Sequence, residues 1–311
     1  MAEGARVLPK PTDYLAPSQV AALGARSDLV GALLVLHAWA LIAGAMALFV
    51  WWPNPFTFLL AVMVIGTRQL GLAILMHDAA HGLLFANRRL NDWLGTWACA
   101  YSVFTSLALY RPYHLKHHRH TQQAEDPDLG LSAPFPISRA SLRRKIVRDL
   151  TGQTAFTRRR EQFKRGIAVR EPLIVNAVLW LVLAALGYWW LYPVLWLIPL
   201  ATWYQLVSRL RNIAEHAVVP DNDDPLLNTR TTLANPLERL LIAPYWVNYH
   251  LEHHLFMFVP CWRLPAAHRA LVEAGWRERM ELKRGYRAVL RAATAGEGGG
   301  PSGRRDTTQH I

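Results

Sequence analysis

Two stretches of this chain contain no lysine or arginine: residues 27–67 and 171–208. That gap in positive charge limits the possible folds more than any other feature. Each stretch is long enough for two membrane-crossing helices of about 20 residues. Each is also interrupted near its middle by proline and tryptophan, as WWPNP at 51–55 and WWLYP at 189–193. Proline ends a helix, and tryptophan settles at a bilayer surface, so both interruptions read as tight interfacial turns. The expected fold is therefore all-α and polytopic. Four transmembrane helices at 29–50, 56–76, 173–190 and 194–210 form two hairpins. The composition agrees, since 52% hydrophobic against 18% charged residues is apolar for a soluble chain. Arg68, inside the second span, is the one awkward charge, which places it near the inner end or facing the bundle.

The net charge of +12 could suggest a nucleic-acid partner, but its distribution argues against one. The basic residues lie outside the hairpins or at their inner ends, which puts both termini and the whole 77–170 segment in the cytosol. The basic run over 137–170 follows the same bias. The chain reads as a multi-pass protein of a bacterial inner membrane, with no nucleic-acid partner. Segment 92–110 is apolar, but a fifth crossing there would move later residues to the opposite side, so it is expected to be re-entrant or interfacial. Residues 1–28 read as an uncleaved cytosolic arm, 29–270 as one membrane and cytosolic-cap domain, 271–295 as a cytosolic C-terminal helix, and the Gly-rich 296–311 as a disordered tail. Cys99 and Cys261 have no metal-type spacing, which leaves no thiolate site or disulfide framework.

Histidine dominates what remains. HDAAH brings His77 and His81, HLKHH brings His114, His117 and His118, NIAEH brings Asn212 and His216, and HLEHH brings His250, His253 and His254. Spacings of three and four place side chains on neighbouring positions of a helix, so one element can present several ligands without distortion. Each group adjoins the inner end of a span, which brings all four to one layer beneath the membrane. Nine imidazoles are too many for one ion and fit two. An all-imidazole set suits zinc, copper, iron or nickel alike. Carboxylates are interspersed, and a ligating imidazole usually donates its other N–H to an acceptor. Asp78, Asp126 and Glu252 are the candidates for that role. His120 reads as outer or surface, His37 as a packed, hydrogen-bonded residue, and His268 and His310 as surface histidines.

Together, HxxxH at His77–His81, HxxHH at His114–His118 and HxxHH at His250–His254, set among four hydrophobic spans, resemble the membrane fatty acid desaturase and hydroxylase superfamily over roughly residues 30–270. In that family an extra histidine between the second and third boxes completes the site, and His216 matches it. Asn212 resembles a position that meets a metal directly or through water. The resemblance implies two non-haem iron ions, O2 and an external electron donor. No haem-binding HPGG stretch occurs, so the donor is expected to be a separate ferredoxin-like or cytochrome protein.

The expected reaction is desaturation of an acyl lipid, in which hydrogen leaves two neighbouring methylenes and a double bond remains. A tunnel among the spans would hold the acyl chain. Carotenoid ketolases and ring hydroxylases are alternatives, resembled in HDAAH, HHRH with its following DPD, and VPCWRLP. An acyl-chain hydroxylase is another. A membrane metal carrier is less favoured, because transport sites belong near the bilayer midplane.

Overall fold

A computed structural model of the chain describes residues 9–164 and 169–295. The principal helices are α1 (Asp28–Trp51), α2 (Pro55–Ala80), α3 (Arg88–Leu94), α4 (Leu107–Arg119), α5 (Arg139–Leu150), α6 (Gln153–Lys164), α7 (Arg170–Ala185), α8 (Trp203–His216), α9 (Pro236–Leu241), α10 (His250–Leu255), α11 (Leu264–Glu273) and α12 (Gly285–Ala293). The expected tail, 296–311, lies outside the described residues.

The first hairpin forms as expected. Ser27 Oγ caps α1 by accepting from Val30 N, and Asn54 Oδ1 caps α2 by accepting from the amides of Phe56 and Thr57. Pro55 opens α2, where its missing N–H costs nothing. Trp51 and Trp52 project from the turn between the helices. These two helices are long and apolar enough to cross a membrane. Gly31 lets α1 pack closely against the segment that follows α2: a Cβ there would lie 2.1 Å from the Leu84 carbonyl oxygen.

The second hairpin is shorter than expected. Helix α7 has 16 residues, a rise of about 24 Å, and is capped by Leu186 before Gly187 turns left-handed. The returning segment is broken. It runs as a π-type turn from Tyr192 to Leu197 and a short helix from Ile198 to Ala201, then kinks at Thr202 before α8 begins. Pro193 and Pro199 lack the amide hydrogens that a continuous helix needs. Buried Asn176 ties this hairpin together: it donates to the Tyr101 carbonyl, and its Oδ1 accepts from Tyr192 Oη and Trp196 Nε1. Trp196 stacks on Trp39 of α1 and its carbonyl accepts from Gln69 of α2, so the two hairpins pack together. Leu33, Leu36, Leu59, Leu173 and Leu181 remain exposed on their outer faces.

Segment 92–110 contains no helix of spanning length. It consists of the end of α3, a π-type turn (Gly95–Ala100), a 3-10 turn (Tyr101–Val103) and the start of α4, broken at left-handed Phe104. Cys99 and Ala100 are buried, while Trp93 and Trp97 face outward.

The fold is not wholly helical. Thr231–Leu233 (β1) pairs in parallel with Leu282–Arg284 (β2). The 271–295 stretch is accordingly the end of α11, a 3-10 turn, β2 and α12 rather than one helix. The N-terminal arm docks here, since the Tyr14 carbonyl accepts from Trp276 Nε1 and the Ala22 carbonyl from Arg263 Nη1.

Arg68 is buried and faces the bundle, with Nη2 donating to the Leu240 carbonyl at 2.9 Å.

Candidate metal centre

Helix α2 runs past its apolar length to end in His77 and His81; α4 carries His114, His117 and His118; α8 ends at His216; α10 carries His250, His253 and His254. Four segments far apart in the chain thus deliver nine imidazoles to one place. They fall into two groups. His77, His81, His114, His118 and His253 form one, His117, His216, His250 and His254 the other, and within each group the ligand atoms lie within 4.8 Å of one another.

The partition follows from helix geometry. Residues four apart are nearly eclipsed, while residues three apart diverge by about 60° in the other direction. His114 and His118 therefore share a group and His117 joins the other. In α10 the pair His250 and His254 stays together and His253 crosses to the first group.

The ring nitrogens converge tightly. His118 Nε2 lies 2.9 Å from both His114 Nε2 and His253 Nε2, and His250 Nε2 lies 2.9 Å from His216 Nε2 and 3.0 Å from His254 Nε2. Imidazole nitrogens brought this close are positioned to share a cation rather than to be solvated singly. The Nε2 atoms of His77 and His81 are buried without a hydrogen-bond partner among the described residues. A buried polar atom left unpaired costs free energy, and a bound cation removes that cost. The donor set therefore fits metal ions. Burial, reinforced by neighbouring imidazoles, holds His114, His118, His250, His253 and His254 well below the ordinary histidine range. Burial and then Arg111 lower His81 to about 4. Neutral rings at pH 7 present the lone pairs that a cation requires.

The outer nitrogens find different partners from those expected. Asp126 Oδ1 accepts from His117 Nδ1 at 2.8 Å, which leaves Nε2 to face inward. Asp78 lies 3.7 Å from His77 Nδ1, beyond hydrogen-bond reach, and accepts instead from the Cys261 amide at 2.8 Å. Glu252 turns away from the rings to His268 Nδ1 at 2.5 Å and to Thr231 Oγ1. Both acids sit one residue from a histidine, and on a helix that points them about 100° away from it. They brace the frame: Asp78 pins the turn after α10, and Glu252 joins α10 to β1 and α11. His268 is therefore a structural partner rather than a free surface histidine.

Sequence reading missed several contributors. Glu215 Oε1 lies 3.4 Å from His250 Nδ1 and takes Arg211 Nε at 2.5 Å. Burial pushes its carboxyl up to about 7 against the pull of Arg211. Thr121 Oγ1 meets His254 Nδ1 at 3.2 Å. Buried Arg230 caps the end of α8, donating to the carbonyls of Ala214 and Val218 and to Glu281. Its position after a loop carries no local signal of that role. The Tyr110 ring stacks on His114 at 5.0 Å.

Asn212 lines a cavity of about 170 Å³ that opens onto His117, His216 and His250. His120 belongs to neither group. His37 bonds Tyr245 Oη through Nδ1 at 3.0 Å, as a packed histidine should.

An α-helical bundle with two all-histidine groups at the end of its longest apolar hairpin is the architecture of a protein able to hold a pair of metal ions. The chain belongs to the fatty acid desaturase family, whose family model matches residues 50–282. It is similar to a dihydrorhizobitoxine desaturase of Bradyrhizobium elkanii, 28% identical over 80% of this chain and 79% of that one. It is also similar to a beta-carotene ketolase of Paracoccus sp. (strain PC1), 28% identical over 78% of this chain and 90% of the ketolase. A zeaxanthin 4-ketolase of Chlamydomonas reinhardtii is 29% identical over 63% of this chain and 40% of its own length. The protein is an oxidoreductase of this membrane-associated family.

Proposed function

We propose that the protein is an O2-dependent desaturase of membrane acyl lipids whose nine clustered histidines hold two iron ions. The observation that carries the reading is the division of the histidines into groups of five and four. In this reading His77, His81, His114, His118 and His253 hold one ion, and His117, His216, His250 and His254 hold the other, with Asn212 completing the smaller set directly or through water. Iron bound there supplies the activation of O2.

The chain's own residues do the rest. Asp126 fixes the tautomer of His117, Glu215 faces the outer nitrogen of His250, and Thr121 that of His254. The cavity beside His117 and His216 offers room for one stretch of substrate against the centre, with Tyr110 and Tyr113 as walls. Burial of the histidines excludes bulk water from the reacting carbons. Two hydrogens leave adjacent methylenes, two electrons come from a separate ferredoxin-like or cytochrome donor and two protons from solvent, which together reduce O2 to two water molecules. Four spans in two hairpins would hold the protein in a bacterial inner membrane, with termini and histidines on the cytosolic side. The exposed apolar faces of α1, α2 and α7 support that placement.

A carotenoid ketolase is the second reading, favoured by the ketolase relatives. Iron-loaded protein supplied with a reductant, an electron carrier and O2 would be offered membrane lipids and β-carotene in parallel. New double bonds in the acyl pool support the desaturase, and ring ketones in the pigment support the ketolase. An unchanged acyl pool beside intact O2 consumption overturns the first reading.

A further inference from the structure

A second cavity, of about 560 Å³, opens between α1, α2 and the 236–246 segment, away from the nine clustered histidines. Most of its wall is apolar, including Leu33, Leu34 and Leu41 of α1. Three basic side chains also line it: His37, Arg68 and Arg239. No acid does. Arg68 is buried, and no carboxylate lies within ion-pair distance of it among the described residues; its Nη2 is bonded to the Leu240 carbonyl, and its Nε has no partner. Its guanidinium lies 5.6 Å from the centre of the Tyr245 ring. An isolated buried cation is costly, and an ionisable group within a membrane hairpin generally faces a functional partner.

The surrounding backbone is built to hold this arrangement. Tyr245 and Trp246 both adopt left-handed φ angles, of 51° and 57°. Such strain persists only where the surroundings enforce it. Gly71 makes space for the Tyr245 ring, since a Cβ there would fall 2.6 Å from it. Tyr245 Oη then bridges His37 Nδ1 and the Leu34 carbonyl, which fixes the polar end of the cavity.

We infer that this cavity binds an amphiphile with a single apolar chain ending in an anion, a carboxylate or a phosphate monoester, with the anion at Arg68 and the chain along α1. Arginine forms charge-assisted bonds to either group. A cavity of this size with an apolar wall and a few convergent polar groups is of the ligand-binding kind. Arg68 precedes His77 by about 13 Å of helix rise, so the head would sit apart from the metal centre. The inference does not depend on which substrate is oxidised.

The test uses full-length, metal-loaded protein in detergent and a palmitic acid carrying a chain diazirine, with photolabelled peptides mapped by mass spectrometry. Labelling should fall on residues of α1 and the 236–246 segment. It should exceed that by the diazirine methyl ester by about tenfold and drop by a similar factor in Arg68→Met. Leu33→Trp should block it by filling the cavity, and Arg239→Gln should weaken it; both sites are exposed, so these variants keep the test valid if Arg68→Met does not fold. Competition by palmitate alone assigns a carboxylate, and competition also by lysophosphatidic acid assigns the broader anion class. Equal labelling by acid and ester, or equal competition by lysophosphatidylcholine, would overturn the inference, as would labelling indifferent to all three substitutions.

Discussion

Replacing Asp126 with asparagine tests the two-group architecture directly. Asp126 Oδ1 accepts from His117 Nδ1 and from the Asp128 amide, and Oδ2 accepts from the Gln122 amide, each at 2.8 Å. All three partners are donors. An asparagine can face only part of them with its oxygen, because its NH2 must point at a donor whichever way it turns. If its oxygen stays with His117, the Gln122 amide is lost and the 120–128 turn loosens. If it flips, His117 loses its anchor. Loss of such an outer partner lowers metal affinity by about 10–100-fold, or about 1.4–2.8 kcal/mol. His117 belongs only to the four-histidine group, so that penalty should fall on one ion. Elemental analysis after equilibration with a graded iron chelator should show wild-type protein losing its ions at higher chelator than the variant loses its first. The variant should then hold a plateau near half occupancy. Equal weakening of both ions, or no change, would refute the assignment of His117 and Asp126 to a single group.

Glu252→Gln should behave oppositely, because Glu252 braces His268 and Thr231 rather than a ligand: iron stoichiometry stays intact while thermal unfolding shows a loss of about 1–3 kcal/mol. Gly31→Ala should destabilise by about 1–3 kcal/mol in the same assay, since its Cβ would meet the Leu84 backbone oxygen and force α1 off its neighbour. Stripping metal with a chelator should lower the melting temperature, and readdition of iron should restore it, because the clustered rings regain their shared partner. Metal-free protein should gain stability as pH rises from about 4 to about 6.5 and level off above it. The folded rings sit below the unfolded value, as with His81 at about 4, so the histidines of the unfolded chain bind more protons throughout that window and outweigh the opposite contribution of Glu215, whose carboxyl is raised to about 7. Denaturant melts at several pH values measure the slope, and a slope of opposite sign would contradict the buried, neutral rings.

Much of the first hairpin was legible because its causes are local. An unbroken apolar run, an asparagine cap and a proline at the first helical position act within a few residues of one another. The second hairpin was less so. Its apolar content suggested two full spans, but Pro193 and Pro199 shorten and break the return, and Asn176 turns the packing inward. The small β1–β2 ladder left no readable trace, since three-residue strands whose partners lie 51 positions apart are stabilised by each other rather than by their own sequence.

From the sequence alone came the identity of the nine histidines, their spacing on helices and their position beside the apolar segments, because helix periodicity and hydrophobic length are encoded residue by residue. Only the tertiary structure decided which imidazoles share a group and which acceptors stand behind them. It assigned Asp126 to His117 but Glu215 to His250, and sent Asp78 and Glu252 to brace the frame. A side chain's partner depends on the direction in which its helix presents it and on what distant segment arrives there. That information exists only once the chain has closed upon itself.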